Sequence, residues 1–403
     1  MNFKLLKKII IAIIIIGLLL IIYHGINSYF YNKNSFLNII MEKKLWIGLY
    51  VSSIYFITLS IGSFLFLSIQ NASKSGWSII IHPIMEKISS FIPYGSIILF
   101  YIILLNIFNK NICIFNWMNN NLYNPHSIEY DKIIEKKNIY LNIPFFIVRN
   151  FIFLLLCNIF YFKIKNISKK LNISYSINDY KKLYSISIYF IIFFSITSPL
   201  ISWDWIMSLN PHWLSTLFGW YLLSGFIVTG ISFITIISII LKKKKLFPFF
   251  KESHLHDLSK YLFSSSLLWS YFWLSQFLLY WYGNIPEEIY YFLKREKIFH
   301  NIHLWILIPN FLIPLLLLMS KNNKKNIKIV FTVSIIVLIG HYINIYNLIV
   351  PDLSNNFSVE ITDISPILII GGLFLYIIFT NINNSKINYY GHPFYHESKQ
   401  HKT

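Results

Sequence analysis

The stretch 201–221, ISWDWIMSLNPHWLSTLFGWY, sets a carboxylate at Asp204 and an imidazole at His212 among tryptophans, with apolar runs of membrane length on both sides. A charge at the centre of a bilayer costs about 3 kcal/mol or more, so an ionisable group there needs a partner or a task. Such a pair suits proton transfer, because imidazole titrates near neutral pH. It equally suits a polar hairpin tip between two spans, with tryptophan as the interface anchor. Similar groups recur elsewhere. WYGNIPEE brings Tyr282, Glu287 and Glu288 to the end of another apolar run, where Pro286 is also well placed to open a helix. ESHLHDLSKY holds His254, His256, Asp257 and Lys260 at the start of that run. These suit a proton entry point or an interfacial helix cap that meets a partner subunit.

The elements that position these groups are apolar runs at about 9–23, 45–69, 92–108, 144–162, 185–206, 216–241, 258–282, 302–319, 327–345 and 364–380. Several approach the roughly 20 residues that a helix needs to cross a bilayer. Backbone groups in lipid must be satisfied within the segment, so the runs predict an all-α integral membrane protein of about ten spans. Most of the 35 basic residues fall in alternate connections, and Lys242 to Lys245 close the sixth span. This asymmetry predicts a multi-pass protein with both termini cytoplasmic. On that topology Arg149 lies about one turn inside the fourth span and Asp204 at similar depth in the fifth, so the two could pair. His212, Tyr282, Glu287, Glu288, His300, His303 and His341 share their outer side. His254, His256 and Asp257 lie on the inner side, with His82 and Glu86. Segment 73–93 reads as an amphipathic helix on the inner surface, and loop 109–143 is too small for a core of its own.

Composition narrows the class. The chain has 403 residues, 56% hydrophobic and only 13% charged, against about 25% charged in an average soluble domain. The formal net charge of +19 does not predict nucleic-acid binding, because the lysines sit between apolar runs and not on one basic face. Isoleucine, asparagine, lysine, tyrosine and phenylalanine are inflated as in an AT-rich genome, so tryptophan, histidine, aspartate, glutamate, arginine, proline and glycine carry more information. The two cysteines, Cys113 and Cys157, form no haem-attachment motif or cluster. No paired-carboxylate or HExxH motif predicts a metal site. His303 and His341 could in principle ligate a b-type haem if both faced inward.

WDWIMSLNPHWLSTLFGWY, HLHDLSKYLFSSSLLWSYFWLSQFLLYWYGNIPEE and GWSIIIHPIMEKIS resemble the second large NrfD-like membrane subunit, ActF, of bacterial alternative complex III, a quinol:cytochrome c oxidoreductase. The resemblance spreads over most of the chain and is densest at 200–290. It implies two four-helix bundles, at 45–206 and 216–345, with the first and last helices outside them. It implies an inner-membrane subunit without a covalent cofactor, in contact with membrane lipid and the quinol pool. The partners it implies are an NrfD-like paralogue, an iron–sulfur subunit and multihaem cytochromes c, which carry the haem and the iron–sulfur clusters. A quinone such as menaquinone is the implied ligand. Where the family pattern has aspartate before Pro-His-Trp, this chain has Asn210.

Two mechanisms stay open. In one, Asp204, Glu287 and Glu288, extended by His212 and Tyr282 and with Arg149 holding Asp204, form the outer end of a proton path. In the other, quinol binds among the aromatic rings of spans five to seven. A secondary transporter or ion-conducting membrane protein is the alternative class, although no pair of Gly/Pro-broken spans sits in matching positions of two halves. No compact nucleophile–base motif supports a lipid-modifying enzyme.

Overall fold

The computed structural model describes residues 3–32, 43–109, 112–300, 302–354, 360–383 and 390–402. Among them every regular element is helical. The long helices are α1 (Phe3–Asn32), α2 (Lys43–Ala72), α3 (Ile92–Phe108), α4 (Ile143–Ser174), α5 (Ile177–Trp205), α6 (Phe218–Lys243), α7 (Glu252–Gly283), α8 (Ile302–Leu318), α9 (Ile327–Leu353) and α10 (Ile361–Asn383). Eight of these segments are long and apolar enough to cross a membrane, and α8 with the preceding helix makes a bent ninth. The remaining one, α7, has 32 residues, but its serines, tyrosines and tryptophans dilute its hydropathy. The protein is therefore an all-α, multi-pass membrane protein.

Neighbouring helices close two rings. In the first, α2 packs on α3 and α5, and α4 on α3 and α5. In the second, α6 packs on α7 and α9, and α8 on α7 and α9. α10 packs between α1 and α2, outside both rings. The rings meet where α2 crosses α6, and that crossing depends on glycine. A Cβ on Gly62 would lie 1.8 Å from the Phe226 carbonyl oxygen, and one on Gly230 would lie 2.5 Å from the Gly62 carbonyl carbon. Small residues at such crossings let backbones approach and gain packing that lipid cannot supply.

One expectation changes. The helix expected on the membrane surface is a short one, His82–Ser89. It packs under α2, α6 and α10, with His82, Ile84, Met85 and Ile88 buried, because its apolar face is covered by protein. The long loop 109–143 lends its aromatic side chains to the first ring: Phe115 and Trp117 are fully buried and meet Phe146 of α4 edge-on.

Candidate functional site

The site is built at the end of the rings where α4 begins and α5 ends. Asn142 caps α4 by accepting from the Phe145 amide, and Pro144 occupies the first turn. This places Arg149 about two turns inside. Asp204 stands in the last turn of α5, fully buried. The guanidinium grips the carboxylate at both oxygens, Nε to Oδ2 at 3.0 Å and Nη2 to Oδ1 at 2.8 Å. Its Nη1 donates to the Tyr140 carbonyl, and its plane lies over the Tyr140 and Phe145 rings at 3.9 and 4.2 Å. Asn150 donates to Asp204 Oδ2 at 3.4 Å and accepts from the Trp205 indole at 2.6 Å. Tyr50 of α2 donates to the Trp205 carbonyl. One network thus ties three helices of the first ring. The expected pairing of Arg149 with Asp204 is present.

A second pair was not foreseen. Arg295, in the helix Pro286–Phe299 that leads into α8, meets Asp352 in the last turn of α9 at 2.5 Å. It also donates to the Tyr291 and Leu348 carbonyls and stacks over the Tyr291 ring at 3.3 Å. Both partners are almost wholly buried, at 1% and 2% exposure. The two pairs occupy matching places: the aspartate ends the fourth helix of its ring, and the arginine stands near the start of the third. These are the two arginines of the chain. Guanidinium suits such sites because its planar fork binds carboxylate and aromatic faces together. The signal was available, since arginine resists the AT-rich drift. It was missed because both residues read as loop positions.

Segment 206–217 joins the pairs. Asn210 donates to Asp352 at 3.4 Å, and Trp213 stacks flat on Tyr291 at 3.8 Å. An ionised aspartate at 210 would instead repel Asp352.

The expected outer relay is not assembled. Arg149 and Asn150 both donate to the Asp204 oxygens. His212 pairs with Asp131 at 2.9 Å. Tyr282 is 89% exposed at the end of α7. Glu288 is half-buried at the start of its helix, and the Glu287 side chain lies outside the described residues. No described hydrogen bond or ion pair joins Asp204 to His212, Tyr282 or Glu288. The physical reason is that residues 286–299 are helical and direct Arg295, not Glu288, into the bundle.

At the opposite end, the C-terminal segment covers His254, His256 and Asp257. His254 Nε2 lies 3.0 Å from the Ser398 carbonyl, and His401 Nε2 lies 2.6 Å from Asp257 Oδ2. Asp257 also accepts from Lys260, and His256 is buried 3.8 Å from it. This chain's own terminus thus contacts His254 and Asp257, where a partner subunit was expected. His392, on the same segment, has its imidazole pushed down to about 4 by burial. His303 and His341 line cavities of about 10 Å³ each, which leave no space for a haem. Among the described residues no group of histidine, cysteine and carboxylate side chains has the arrangement of a metal site.

A cavity lies beside the first pair. It holds about 400 Å³ and is walled by Tyr140, Trp203, Met207, Pro211, Trp213 and Leu214. Ser208 and Lys137 add polar groups, the latter donating to the Pro211 carbonyl. Burial and the Asp204 charge push the Tyr140 phenol above its usual range. The Trp203 indole N–H is buried without a hydrogen-bond partner.

This fold and these paired charges define the class, a polytopic helical membrane protein with a cavity beside a buried ion pair. Comparison adds no name: no protein-family model and no curated protein matches the chain.

Proposed function

We propose that the chain is a membrane subunit of a quinol-oxidising electron-transfer complex of the alternative complex III type, and that the cavity beside Arg149 and Asp204 binds the quinone ring. The observation that carries this reading is the cavity itself. Its volume of about 400 Å³ falls within the roughly 300–1,000 Å³ of small-molecule sites, which are mostly apolar with a few placed polar groups. Trp203 adds its indole to the wall. Trp213 and Tyr140 offer aromatic faces to a planar ring. Tyr140 reaches both the cavity and the neighbourhood of Asp204. Arg149 keeps that carboxylate in place and so sets the field at the cavity wall. The sequence blocks that resemble the family include most of the cavity lining. Haem and iron–sulfur clusters belong to partner subunits in this reading, so electrons leave the quinol toward them.

Two measurements test it. Native mass spectrometry of the protein extracted from its own membranes is expected to find c-type haem and iron–sulfur subunits bound, and a chain that migrates alone or with other partners refutes the complex. A photoreactive quinone analogue is expected to crosslink within 203–216, and Leu214→Trp, which fills the cavity from its exposed rim, is expected to lower crosslinking about tenfold or more, the scale of 1.4 kcal/mol of binding. Unchanged crosslinking places the ring elsewhere.

The reading also places the chain in the bacterial inner membrane with both ends in the cytoplasm, supported by the lysine asymmetry. A periplasm-only reporter fused after residue 402 is expected to stay silent. A strong signal reverses the orientation and puts the cavity on the cytoplasmic side.

A further inference from the structure

Residues 390–402 cross the end of the molecule opposite the first ion pair and tie the two rings together there. Gly391 starts the crossing, where a Cβ would run into the Leu171 carbonyl near the end of α4. His392, 4% exposed, meets the Tyr180 ring of α5 edge-on at 5.3 Å and the His82 ring at 6.0 Å. Ser398 is fully buried, donates to the Trp77 carbonyl at 2.7 Å and accepts from the Ile80 amide at 3.2 Å. The strap then reaches α7 of the second ring. There the Ser398 carbonyl meets His254, and the His401 carbonyl accepts from Ser253 at 3.0 Å. Its apolar contacts, Tyr395 and Phe394 on Ile79, form a small cluster separate from the main core. The strap can therefore leave without opening that core.

Two imidazoles hold the strap in contacts that only the neutral ring can make. His392 Nδ1 accepts from the Phe394 amide at 3.2 Å. His254 Nδ1 accepts from the Lys251 amide at 3.1 Å, so its proton sits on Nε2 and is donated to the Ser398 carbonyl at 3.0 Å. A second proton on either ring breaks its amide bond and puts a charge in a buried place. The titratable groups that face His392 are His82 and Tyr180. Those around His254 are His401, Lys251 and Asp257, with Lys242 over the Phe250 ring that stacks on it. Asp257 is already shared by Lys260 and His401. The His401–Asp257 contact works in the other direction, being an ion pair only while the imidazole is protonated. Burial holds the His392 imidazole down at about 4. Its contribution to docking is complete above about pH 6.5, the ordinary value, and is lost as pH falls toward 4.

We propose that residues 390–402 are an acid-released latch. Protonation of His392 and His254 at Nδ1 breaks both amide bonds, the strap lifts off, and Trp77, Ile79, Ile80, His254 and Asp257 become open to water. The helices stay in place, because the Gly62–Gly230 crossing joins the rings without the strap. The end of the molecule thus has two states, covered at neutral pH and uncovered in acid. The latch needs no quinol and stands apart from the preceding reading.

The test uses the full chain in lipid nanodiscs with a nitroxide on His396→Cys, an exposed position of the strap. The parent, taken through the same labelling, supplies the background from Cys113 and Cys157. The electron spin resonance spectrum is expected to be immobilised at pH 7. From pH 7 to pH 5 the ratio of mobile to immobile signal is expected to rise about tenfold or more, reversibly, the scale set by one imidazole held down at about 4. His392→Asn keeps an acceptor for the amide two residues on, as in an Asx-turn. His254→Gln keeps one for the amide at the helix cap, as glutamine does in a capping box. Neither side chain titrates. The double variant is expected to stay immobilised at pH 5, and each single variant to show a smaller rise than the labelled strap with both histidines. A nitroxide on Ile339→Cys, exposed on α9, is expected to keep one spectrum throughout. An unchanged ratio with both histidines present, a rise undiminished in the single variants, or the same change at position 339 each overturns the latch.

Discussion

Arg295→Met is expected to cost the most stability of any single change at the ion pairs. Asp352 would remain in the last turn of α9, 2% exposed, with only the 3.4 Å contact from Asn210 to its carboxylate. Removing one partner of a buried ion pair costs about 3–5 kcal/mol, because the other charge is left uncompensated. The Tyr291 and Leu348 carbonyls would also lose their donors. The expected result is poor recovery of monodisperse protein from membranes and a clear drop in Tm for whatever is recovered. Arg295→Met combined with Asp352→Leu removes both charges and should restore much of the loss, since replacing a whole buried pair by apolar side chains is often nearly neutral. A single variant as stable as the parent, or a double variant worse than the sum of its parts, would refute the account.

The first pair is expected to respond asymmetrically. Arg149→Ala leaves Asp204 wholly buried, with Asn150 donating to its side chain and the Tyr140 phenol beside it. Asp204→Ala leaves Arg149, whose side chain is already 12% exposed, free to carry its head to the surface along its apolar stem. Arg149→Ala should therefore approach the loss of about 3–5 kcal/mol expected for an uncompensated buried charge, and Asp204→Ala should cost clearly less. The double variant should cost less than the two single changes added. Thermal unfolding in detergent ranks the three. Equal losses from both single changes would show that the carboxylate, too, finds water when abandoned.

These outcomes bear on what the pairs are for. Asp204 is held from two sides by a bidentate guanidinium and an amide, an arrangement that fixes helices and walls a cavity. A proton carrier needs a free lone pair within reach of water.

The sequence by itself determined the class and the helices. Runs of about 20 apolar residues have no other way to satisfy their backbone in lipid, so periodicity and length locate the helices without knowledge of their neighbours. It also allowed the pairing of Arg149 with Asp204, because both stand inside apolar runs that a short connection makes antiparallel, and the packed helices realise it. What remained was decided by tertiary packing. Whether Glu288 or Arg295 points into the bundle depends on the phase of a helix that the sequence presents as a loop. Whether His254 and Asp257 meet another subunit or the chain's own terminus depends on where residues 390–402 fold back. The cavities at Trp203 and His341 exist only because residues distant in sequence fail to fill the space between helices. A side-chain list records which groups are present. The space between them, and hence which of them water or a ligand can reach, is a property of the packed bundle alone.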